Sequence, residues 1–244
     1  MSRKKNIFSM YRVLLLAATL PPAKKVMFSE EEKRFCIRKR ELPGCIGKFN
    51  ALFITDTHSH MTKRALDDFI SDIGSVDVIF VLGDMSEREQ LLLKNYYEKA
   101  PKYALLGNHD YYGQLEETGL SDINGKVAVI NGVSFTGIYG SIRYKNTDAP
   151  MLTNEESIKI AKTLPECDIL LSHDKAKKAG DEGSHAGLEG ITWYLLNRQP
   201  AYHFHGHLHE NMMENVADVP SIGFCRYAYV SFSKEGSKVL KYFG

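Results

Sequence analysis

The sequence predicts an α/β fold built on parallel strands. Residues 51–55, 76–82 and 102–106 have the apolar pattern of buried strands, and residues 62–73 and 86–100 between them have helical spacing. Strands that alternate with helices form βαβ units, whose neighbouring strands run parallel. The chain has 244 residues, 43% of them hydrophobic, which is enough for one large domain or two small ones.

The second half of the sequence adds antiparallel pairing to this sheet pattern. Asn131-Gly132, between apolar segments, is a strong signal for a β-hairpin of residues 127–130 and 133–138. A capping-box pattern at residues 153–156 predicts a helix that runs to residue 164. We predict a strand at residues 168–172, a helix at 187–197 and a strand at 201–204. Alternating strands follow over residues 222–243, with a turn at Gly236.

The N-terminal 48 residues differ in charge from the remainder of the chain. They contain 12 Lys and Arg against 4 Glu, whereas the rest contains 19 Lys and Arg against 26 Asp and Glu. We therefore predict a basic, helical extension over residues 1–48, with helices at 6–20 and 30–42, and a single domain over residues 49–244. The extension is expected to contact the domain, a protein partner or an anionic surface.

Three features bear on the location of the chain. Arg3-Lys4-Lys5 followed by apolar residues 13–20 resembles a short signal peptide within residues 1–23, but the apolar core is at the lower limit of length. No apolar run reaches the roughly 20 residues that span a bilayer. The four cysteines have neither disulfide nor zinc spacing. We expect a retained N-terminus, reduced thiols, no transmembrane segment and a cytoplasmic location.

Polar side chains follow five of the predicted strands, at the point where each strand ends. These candidate site residues are Asp56 and His58, Asp84, Asn108 with His109 and Asp110, His173, and His207 with His209. Ligands of open α/β sheets bind outside the carboxyl ends of the strands. Residues two apart in an extended chain point to the same side, so one pair of residues can direct two ligands at one point.

The types of side chain in these five groups indicate a metal centre. Carboxylate, amide and imidazole ligands without a thiolate suit divalent Mn, Fe, Zn, Co or Ni. The ligands are too many for one tetrahedral zinc, and two metals that share a carboxylate fit them better. Two such ions, less the charges of Asp56, Asp84 and a hydroxide, leave about +1, which suits an anionic phosphoester.

The five groups in this order resemble the calcineurin-like metallophosphoesterase superfamily. The residues that carry the resemblance are Asp56-x-His58, Gly83-Asp84, Gly107-Asn108-His109-Asp110, His173 and Gly206-His207-x-His209. The resemblance covers roughly residues 50–230. It implies a four-layer αββα sandwich of two mixed β-sheets flanked by helices, with a dinuclear metal centre along one edge.

The resemblance also implies a role for each site residue. The first metal would be held by Asp56, His58 and His209, the second by Asn108, His173 and His207, and Asp84 would bridge them. His109 would act as the general acid, with Asp110 orienting its ring, while a hydroxide activated by the two metals attacks. His185, Tyr111 and Arg143 are candidate substrate contacts.

These residues predict a metal-dependent phosphohydrolase, with manganese as the expected metal and a phosphodiester as the expected substrate. One alternative is a nuclease that binds DNA or RNA through the basic N-terminal arm. Another is a phosphomonoesterase or protein phosphatase, and a third is a scaffold with the same fold that docks a partner. The candidate phosphoester substrates include nucleotides and nucleic acids.

Overall fold

The computed structural model describes residues 40–243 of the chain. The helix predicted at residues 6–20, most of that at 30–42, and the signal-like segment 1–23 lie outside these residues. Residues 40–42, the end of the second predicted helix, are not helical. No helix in the described part is long and apolar enough to cross a membrane.

Strands account for most of the regular structure. In chain order they are β1 (Phe49–Thr55), β2 (Val78–Val81), β3 (Lys102–Ala104), β4 (Ser121–Asp122), β5 (Ala128–Ile130), β6 (Val133–Ile138), β7 (Ser141–Ile142), β8 (Met151–Leu152), β9 (Ile169–Ser172), β10 (Tyr202–His205), β11 (Met212–Val216), β12 (Val219–Gly223), β13 (Arg226–Ser233) and β14 (Gly236–Phe243). The α-helices are α1 (Lys63–Ser71), α2 (Glu87–Leu93), α3 (Gln114–Thr118), α4 (Asn154–Thr163) and α5 (Glu189–Arg198), and a 3-10 turn spans Gly183–His185.

Two six-stranded mixed sheets organise the fold. The first has the order β14-β13-β1-β2-β3-β4, with parallel pairing from β1 to β4 and antiparallel pairing at β13 and β14. The second has the order β11-β12-β10-β9-β6-β5, with its central strands parallel and an antiparallel strand at each edge. Strands β7 and β8 form a separate small pair.

Helices cover the outer face of each sheet. Leu66 and Phe69 of α1 pack on the first sheet, and Ile191 and Leu195 of α5 pack on the second. Between the sheets lies a third core that is rich in phenylalanine. The layers are therefore helix, sheet, sheet and helix, and the predicted four-layer sandwich is confirmed.

The core between the sheets fixes how the two sheets face each other. The ring of Phe53 on β1 stacks on that of Phe204 on β10, with centroids 4.8 Å apart. The ring centroid of Phe80 on β2 lies 4.7 Å from that of Phe135 on β6. Aromatic pairs of this kind contribute about 0.5–1.5 kcal/mol each beyond the burial of their area. Because these rings lie on the central parallel strands, they hold the carboxyl ends of both sheets along one common edge.

Most of the predicted elements are present, with shifts of a few residues at their ends. The hairpin turn at Asn131-Gly132 has φ of 47° and 81°, the left-handed conformation that such turns require. The capping box at α4 is also present: Thr153 accepts a hydrogen bond from the Glu156 amide, and Glu156 accepts one from the Thr153 amide. Leu42 and Cys45, which precede the predicted domain boundary, are buried in the core between the sheets.

The helix predicted at residues 86–100 ends at Leu93, so the prediction is wrong beyond that residue. Residues 94–99 form turns, and Tyr97 has φ of 45°, which a helix cannot accommodate. The Tyr96 hydroxyl donates to Asp67 of α1 at 2.6 Å, so a tertiary contact with the neighbouring helix accompanies the change of direction. Strands β4, β7, β8 and β11, helix α3 and the first three residues of β12 were not predicted.

Candidate metal centre

The candidate site lies where the parallel strands of both sheets end. Asp56 follows β1, Asp84 follows β2, and Asn108 lies four residues beyond β3. His173 directly follows β9, and His207 lies two residues beyond β10. Each sheet therefore contributes to the same edge, and three groups of side chains have potential ligand atoms within 4.8 Å of one another. These groups are Asp56 with His58 and His209, His58 with Asp84 and His109, and Asp84 with His173 and His207.

Asp56 has one oxygen that is hydrogen-bonded and one that is not. Its Oδ2 accepts the Thr55 hydroxyl at 2.7 Å and the His207 backbone N–H at 2.8 Å. Its Oδ1 is buried and has no hydrogen-bond partner among the described residues. Nε2 of His209 lies 3.6 Å from Oδ1, and Nε2 of His58 lies 3.9 Å from it. The bare oxygen therefore points at imidazole nitrogens from two separate loops.

Asp84 repeats this arrangement in the middle of the site. Its Oδ1 accepts the backbone N–H of His109 at 2.7 Å, while Oδ2 is buried and has no partner within residues 40–243. Nε2 of His58 lies 3.6 Å from Oδ2 and Nε2 of His173 lies 3.5 Å from it. Burial opposes ionisation of Asp84, but His173 and the His109 amide outweigh it, so the pKa of Asp84 is lowered. Buried polar atoms without hydrogen-bond partners are rare, and both of these carboxylate oxygens lie near Nε2 of His58, so a cation bound there would compensate them.

Backbone carbonyls set which nitrogen of each buried imidazole carries the proton. Nδ1 of His173 lies 2.7 Å from the carbonyl oxygen of Leu82, and Nε2 of His207 lies 3.0 Å from that of Ser184. Because a carbonyl only accepts, each of these nitrogens must be the donor, and the other nitrogen of a neutral ring holds a free electron pair. Metal-binding histidines are typically oriented in this way.

Burial affects the charge of these rings. It is the main cause that lowers the pKa of His207 to about 3, with His173 adding to the effect. Burial also lowers the pKa of His58. For His173, burial opposes the charged form, but the carboxylates of Asp84 and Asp56 prevail and the pKa is raised. The first two rings are therefore neutral at pH 7, which is the form that binds metals.

Five of these side chains sit on left-handed backbone. Asp56, His58, Asp84, His207 and His209 have φ between 44° and 68°. Residues other than glycine seldom adopt this conformation, and its occurrence in a cluster is typical of functional sites, where surrounding structure maintains the strain.

Gly83 and Gly107 allow the loops of the site to approach closely. A Cβ atom on Gly83 would lie 2.5 Å from the backbone nitrogen of Gly107. A Cβ atom on Gly107 would lie 2.2 Å from Oδ1 of Asp84 and 2.7 Å from Cε1 of His173. No side chain fits at these distances, so both motif glycines are needed for the approach of two loops.

The spacing of the potential ligands fits divalent cations. Nitrogen and oxygen ligands bound at about 2.0–2.2 Å lie about 3.0–3.5 Å from each other around one ion. Nε2 of His58 is 3.2 Å from Nε2 of His209, and Nε2 of His173 is 3.0 Å from Oδ1 of Asn108. The potential ligand atoms form one group around Asp56, His58 and His209 and a second group around His173 and His207. Asp84 lies between the two groups, because its Oδ2 is near both His58 and His173. These residues could hold two metal ions.

His109 and Asp110 lie at the site, but among the described residues no hydrogen bond joins the Asp110 carboxylate to the His109 ring as predicted. The exposed ring of His109 lies 5.0 Å from that of His58, centroid to centroid. Asp110 is buried, and its carboxylate accepts backbone N–H groups of Gly107, Asp84 and Met85 at 2.7, 2.9 and 3.2 Å. Burial raises the pKa of Asp110 to about 7. Among the contacts of residues 40–243, Asp110 joins two loops of the site instead of orienting the His109 ring.

The three candidate substrate contacts differ in their surroundings. The ring of His185, in the 3-10 turn, lies 4.9 Å from that of His207 and is exposed. Tyr111 donates to Glu117 at 2.5 Å, which raises the pKa of Tyr111 to about 12. Arg143 donates to the carbonyl of Met151 and pairs with Glu156 at 3.1 Å. His185 is thus brought to the centre, whereas Tyr111 and Arg143 are bound to neighbours of their own.

Two contacts of the site were not predicted from the sequence. The Asn108 amide nitrogen lies 3.3 Å from the hydroxyl of Tyr144, in the loop that follows β7. The carbonyl of Ser184 orients His207, as described above. A backbone carbonyl leaves no signal in a sequence, and the hydroxyl of an exposed loop tyrosine has no recognisable pattern either.

Comparison with known proteins identifies the family of this chain. A model of the calcineurin-like phosphoesterase family matches residues 49–211. The chain belongs to the calcineurin-like phosphoesterase family. No curated protein sequence matches this phosphoesterase-family chain.

Solved structures share the fold of this calcineurin-like phosphoesterase at low identity. The crystal structure of TT1561 of Thermus thermophilus is 13% identical with a TM-score of 0.60, covering 78% of this chain and 97% of that one. Phosphopantetheinyl hydrolase from Mycobacterium tuberculosis is 12% identical with a TM-score of 0.51, covering 74% and 91%. At these identities the matches show the fold alone.

Proposed function

We propose that this calcineurin-like phosphoesterase is a metal-dependent phosphohydrolase that cleaves phosphodiesters in preference to monoesters. The observation that carries the proposal is the pair of buried carboxylate oxygens, Oδ1 of Asp56 and Oδ2 of Asp84, that have no hydrogen-bond partner in the described part of the chain. Both face imidazole nitrogens at 3.5–3.9 Å. Burying charge without a partner is costly, so the arrangement is best accounted for by cations.

The contacts support two proposed ligand sets. Asp56, His58 and His209 form the first set, and Asn108, His173 and His207 form the second. Asp84 lies between them because its bare oxygen faces both His58 and His173. The donors are nitrogen and oxygen atoms without thiolate, which suits manganese first and Fe, Zn, Co or Ni as alternatives. When bound, two such ions supply positive charge that makes water more acidic and stabilises phosphoryl oxygens.

The side chains of the centre would bind and orient the phosphoester. With two carboxylates and otherwise neutral ligands, the loaded centre is cationic and attracts an anionic phosphate. The side chains of His58 and His209 are 25% and 51% exposed, so the centre opens to solvent on that side. An open rim leaves room for substituents on two sides of the phosphorus, which favours a diester over a monoester.

His109 is the proposed general acid. Its backbone N–H is held by Asp84, while its ring is exposed beside His58. That position lets a ring nitrogen give its proton to the leaving oxygen of a phosphate held at the centre. Asp110 supports this geometry indirectly, because it holds the amides of Gly107 and Asp84 on either side of the site. His185 is the proposed substrate contact beside His207.

The test combines metal analysis with a substrate panel. The full chain would be purified and its bound metals counted, then assayed with Mn²⁺ on chromogenic monoesters and diesters, cyclic nucleotides and oligonucleotides. We expect two ions per chain and Mn²⁺-dependent turnover that is fastest on diesters. Cleavage of oligonucleotides alone would support the nuclease, and faster monoester turnover the phosphatase. Two bound ions without turnover of any ester would support the scaffold and refute hydrolysis.

The cytoplasmic location stays a prediction. So does a contact of the basic N-terminal arm with a protein, a nucleic acid or an anionic surface. They rest on the charge of residues 1–48 and on the short apolar core of residues 13–20.

A further inference from the structure

Glu89 receives more hydrogen bonds than a residue that only caps a helix. It lies in the first turn of α2, and the residue is 3% exposed. Two of its bonds come from Ser86 at the N-cap of α2, whose backbone N–H and hydroxyl donate at 2.9 and 2.7 Å. Three more come from the loop after β1: the Thr57 hydroxyl at 2.9 Å, the Ser59 N–H at 3.1 Å and the Met61 N–H at 2.6 Å.

The loop that Glu89 holds is the one that carries His58. Thr57 and Ser59 are the two chain neighbours of His58, and both donate to Oε2 of Glu89. His58 and Ser59 have φ of 44° and 67°. Non-glycine residues leave this conformation unless they are held. The Asp84 carbonyl accepts the His58 N–H at 3.1 Å, and the Glu89 carboxylate restrains the residues on both sides of His58.

The charge of Glu89 strengthens this restraint. Within residues 40–243 the carboxylate forms no salt bridge with Lys or Arg, so its compensation comes from the five donors. Hydrogen bonds to an ionised acceptor are about twice as strong as neutral ones. The Glu89 carboxylate therefore joins the loop of His58 firmly to the turn that follows Asp84.

The contacts of Glu89 are confined to one side of the centre. None of its hydrogen bonds in the described part of the chain reaches Asn108, His173 or His207, whose orientation depends on other groups. We propose that Glu89 is a positioning residue for the first ligand set, acting through the conformation of His58 and leaving the second set unaffected. This inference rests on the proposed two-metal function.

The test is the substitution Glu89→Gln, which keeps the shape of the side chain but replaces one acceptor oxygen with a donor. Glu87→Gln is the matched control, because Glu87 is exposed in the same turn and, within residues 40–243, its side chain has one hydrogen bond, a 3.5 Å contact with Tyr111. Metal-free full-length proteins would be titrated with Co²⁺, following binding by calorimetry and the absorption of the bound ion. His209→Ala would supply the reference spectrum of the second position alone.

Wild type and Glu87→Gln should bind two ions. Glu89→Gln should bind one ion with unchanged affinity and the other about 10- to 100-fold more weakly, as is typical when a residue supporting a metal ligand is lost. At low Co²⁺ its spectrum should match that of His209→Ala, and excess metal should restore turnover. Equal weakening at both positions, or no weakening, would overturn the inference, since a general loss of stability moves both sites.

A milder variant serves if Glu89→Gln fails to fold. Thr57→Val removes one of the five donors and should weaken the same position by a smaller factor, whereas an unchanged titration of Thr57→Val would count against the inference. The outcomes for the proposed function are separate. Two ions in wild type without phosphoester turnover would refute the proposed function only, and fewer than two ions in wild type would refute both.

Discussion

Nε2 of His173 and Oδ1 of Asn108 lie 3.0 Å apart, although each is an acceptor when the ring is neutral. Nδ1 of His173 must donate to the Leu82 carbonyl, so Nε2 of the neutral ring has no hydrogen. The Asn108 amide nitrogen faces the Tyr144 hydroxyl, which fixes the direction of Oδ1. The contact is favourable only if a proton on Nε2 or a metal ion lies between the two atoms.

This competition predicts a pH dependence of metal binding. Asp84 and Asp56 raise the pKa of His173 above its usual 6.5 in the metal-free chain, and a metal must displace that proton. As pH falls through the raised pKa, affinity at the second position should fall, approaching tenfold per pH unit below it. Calorimetric titration with Mn²⁺ between pH 6 and 8.5 measures this, and buffers of different ionisation enthalpy count the released proton. Affinity that is constant over this range would contradict the prediction.

The raised pKa of His173 also determines how the stability of the metal-free protein changes with pH. A histidine whose pKa is raised by folding stabilises the fold below its unfolded pKa, and this contribution is lost as pH rises through the raised value. The contribution of His173 should therefore decrease between about pH 6.5 and the raised pKa, while saturating metal should make the loaded protein more stable on the alkaline side. Urea unfolding over this pH range should show that the free energy of unfolding decreases with rising pH without Mn²⁺ and increases with saturating Mn²⁺.

Asp84→Asn should remove both metals. Its Oδ2 faces His58 and His173, one from each ligand set, and the amide of asparagine lacks the charge that holds two cations together. We expect fewer than one ion per chain and loss of turnover. Asp148→Asn, at an exposed carboxylate in the loop between β7 and β8, is the control and should keep two ions. Full occupancy in Asp84→Asn would show that Asp84 is not shared.

His109→Ala should separate catalysis from metal binding. The backbone N–H that His109 donates to Asp84 is kept in this variant, so the ligand sets stay in place. Loss of a general acid lowers turnover by roughly 10²- to 10⁴-fold. Metal content measured on the same sample should remain at two ions. Loss of an ion would instead make His109 a ligand, an arrangement for which its ring is close enough to His58 and Asp84.

The sequence predicted the site better than it predicted what supports the site. Asp56, Asp84 and His173 follow strands with clear apolar patterns, and parallel strands bring their carboxyl ends together wherever the loops lead. The partners of Asp110 and Glu89 depend on how closely two loops approach, which no spacing encodes. The three donors that the loop after β1 directs at Glu89 are visible only in three dimensions.

The elements that were predicted wrongly or not at all can each be explained by a particular feature of the sequence. The helix at residues 86–100 was predicted too long because its pattern continues through residues that instead turn toward α1, where Tyr96 binds Asp67. Strands β7 and β8 have two residues each, too few for any periodicity. Strand β11 pairs at the edge of its sheet and carries Glu214 and Asn215 among apolar residues, so its alternation is weak.

Gly107→Ala should disrupt the site from within the backbone. The added Cβ would lie 2.2 Å from Oδ1 of Asp84 and 2.7 Å from the His173 ring, so both ligands must move or the loop must shift. Overpacking of this kind costs about 1–3 kcal/mol, and we expect weaker metal binding in addition to lower stability. Gly47→Ala is the matched control, because a Cβ there meets nothing within 4 Å. Urea unfolding and metal titration of both variants test this, and equal behaviour of the two would mean that the loops can separate without cost.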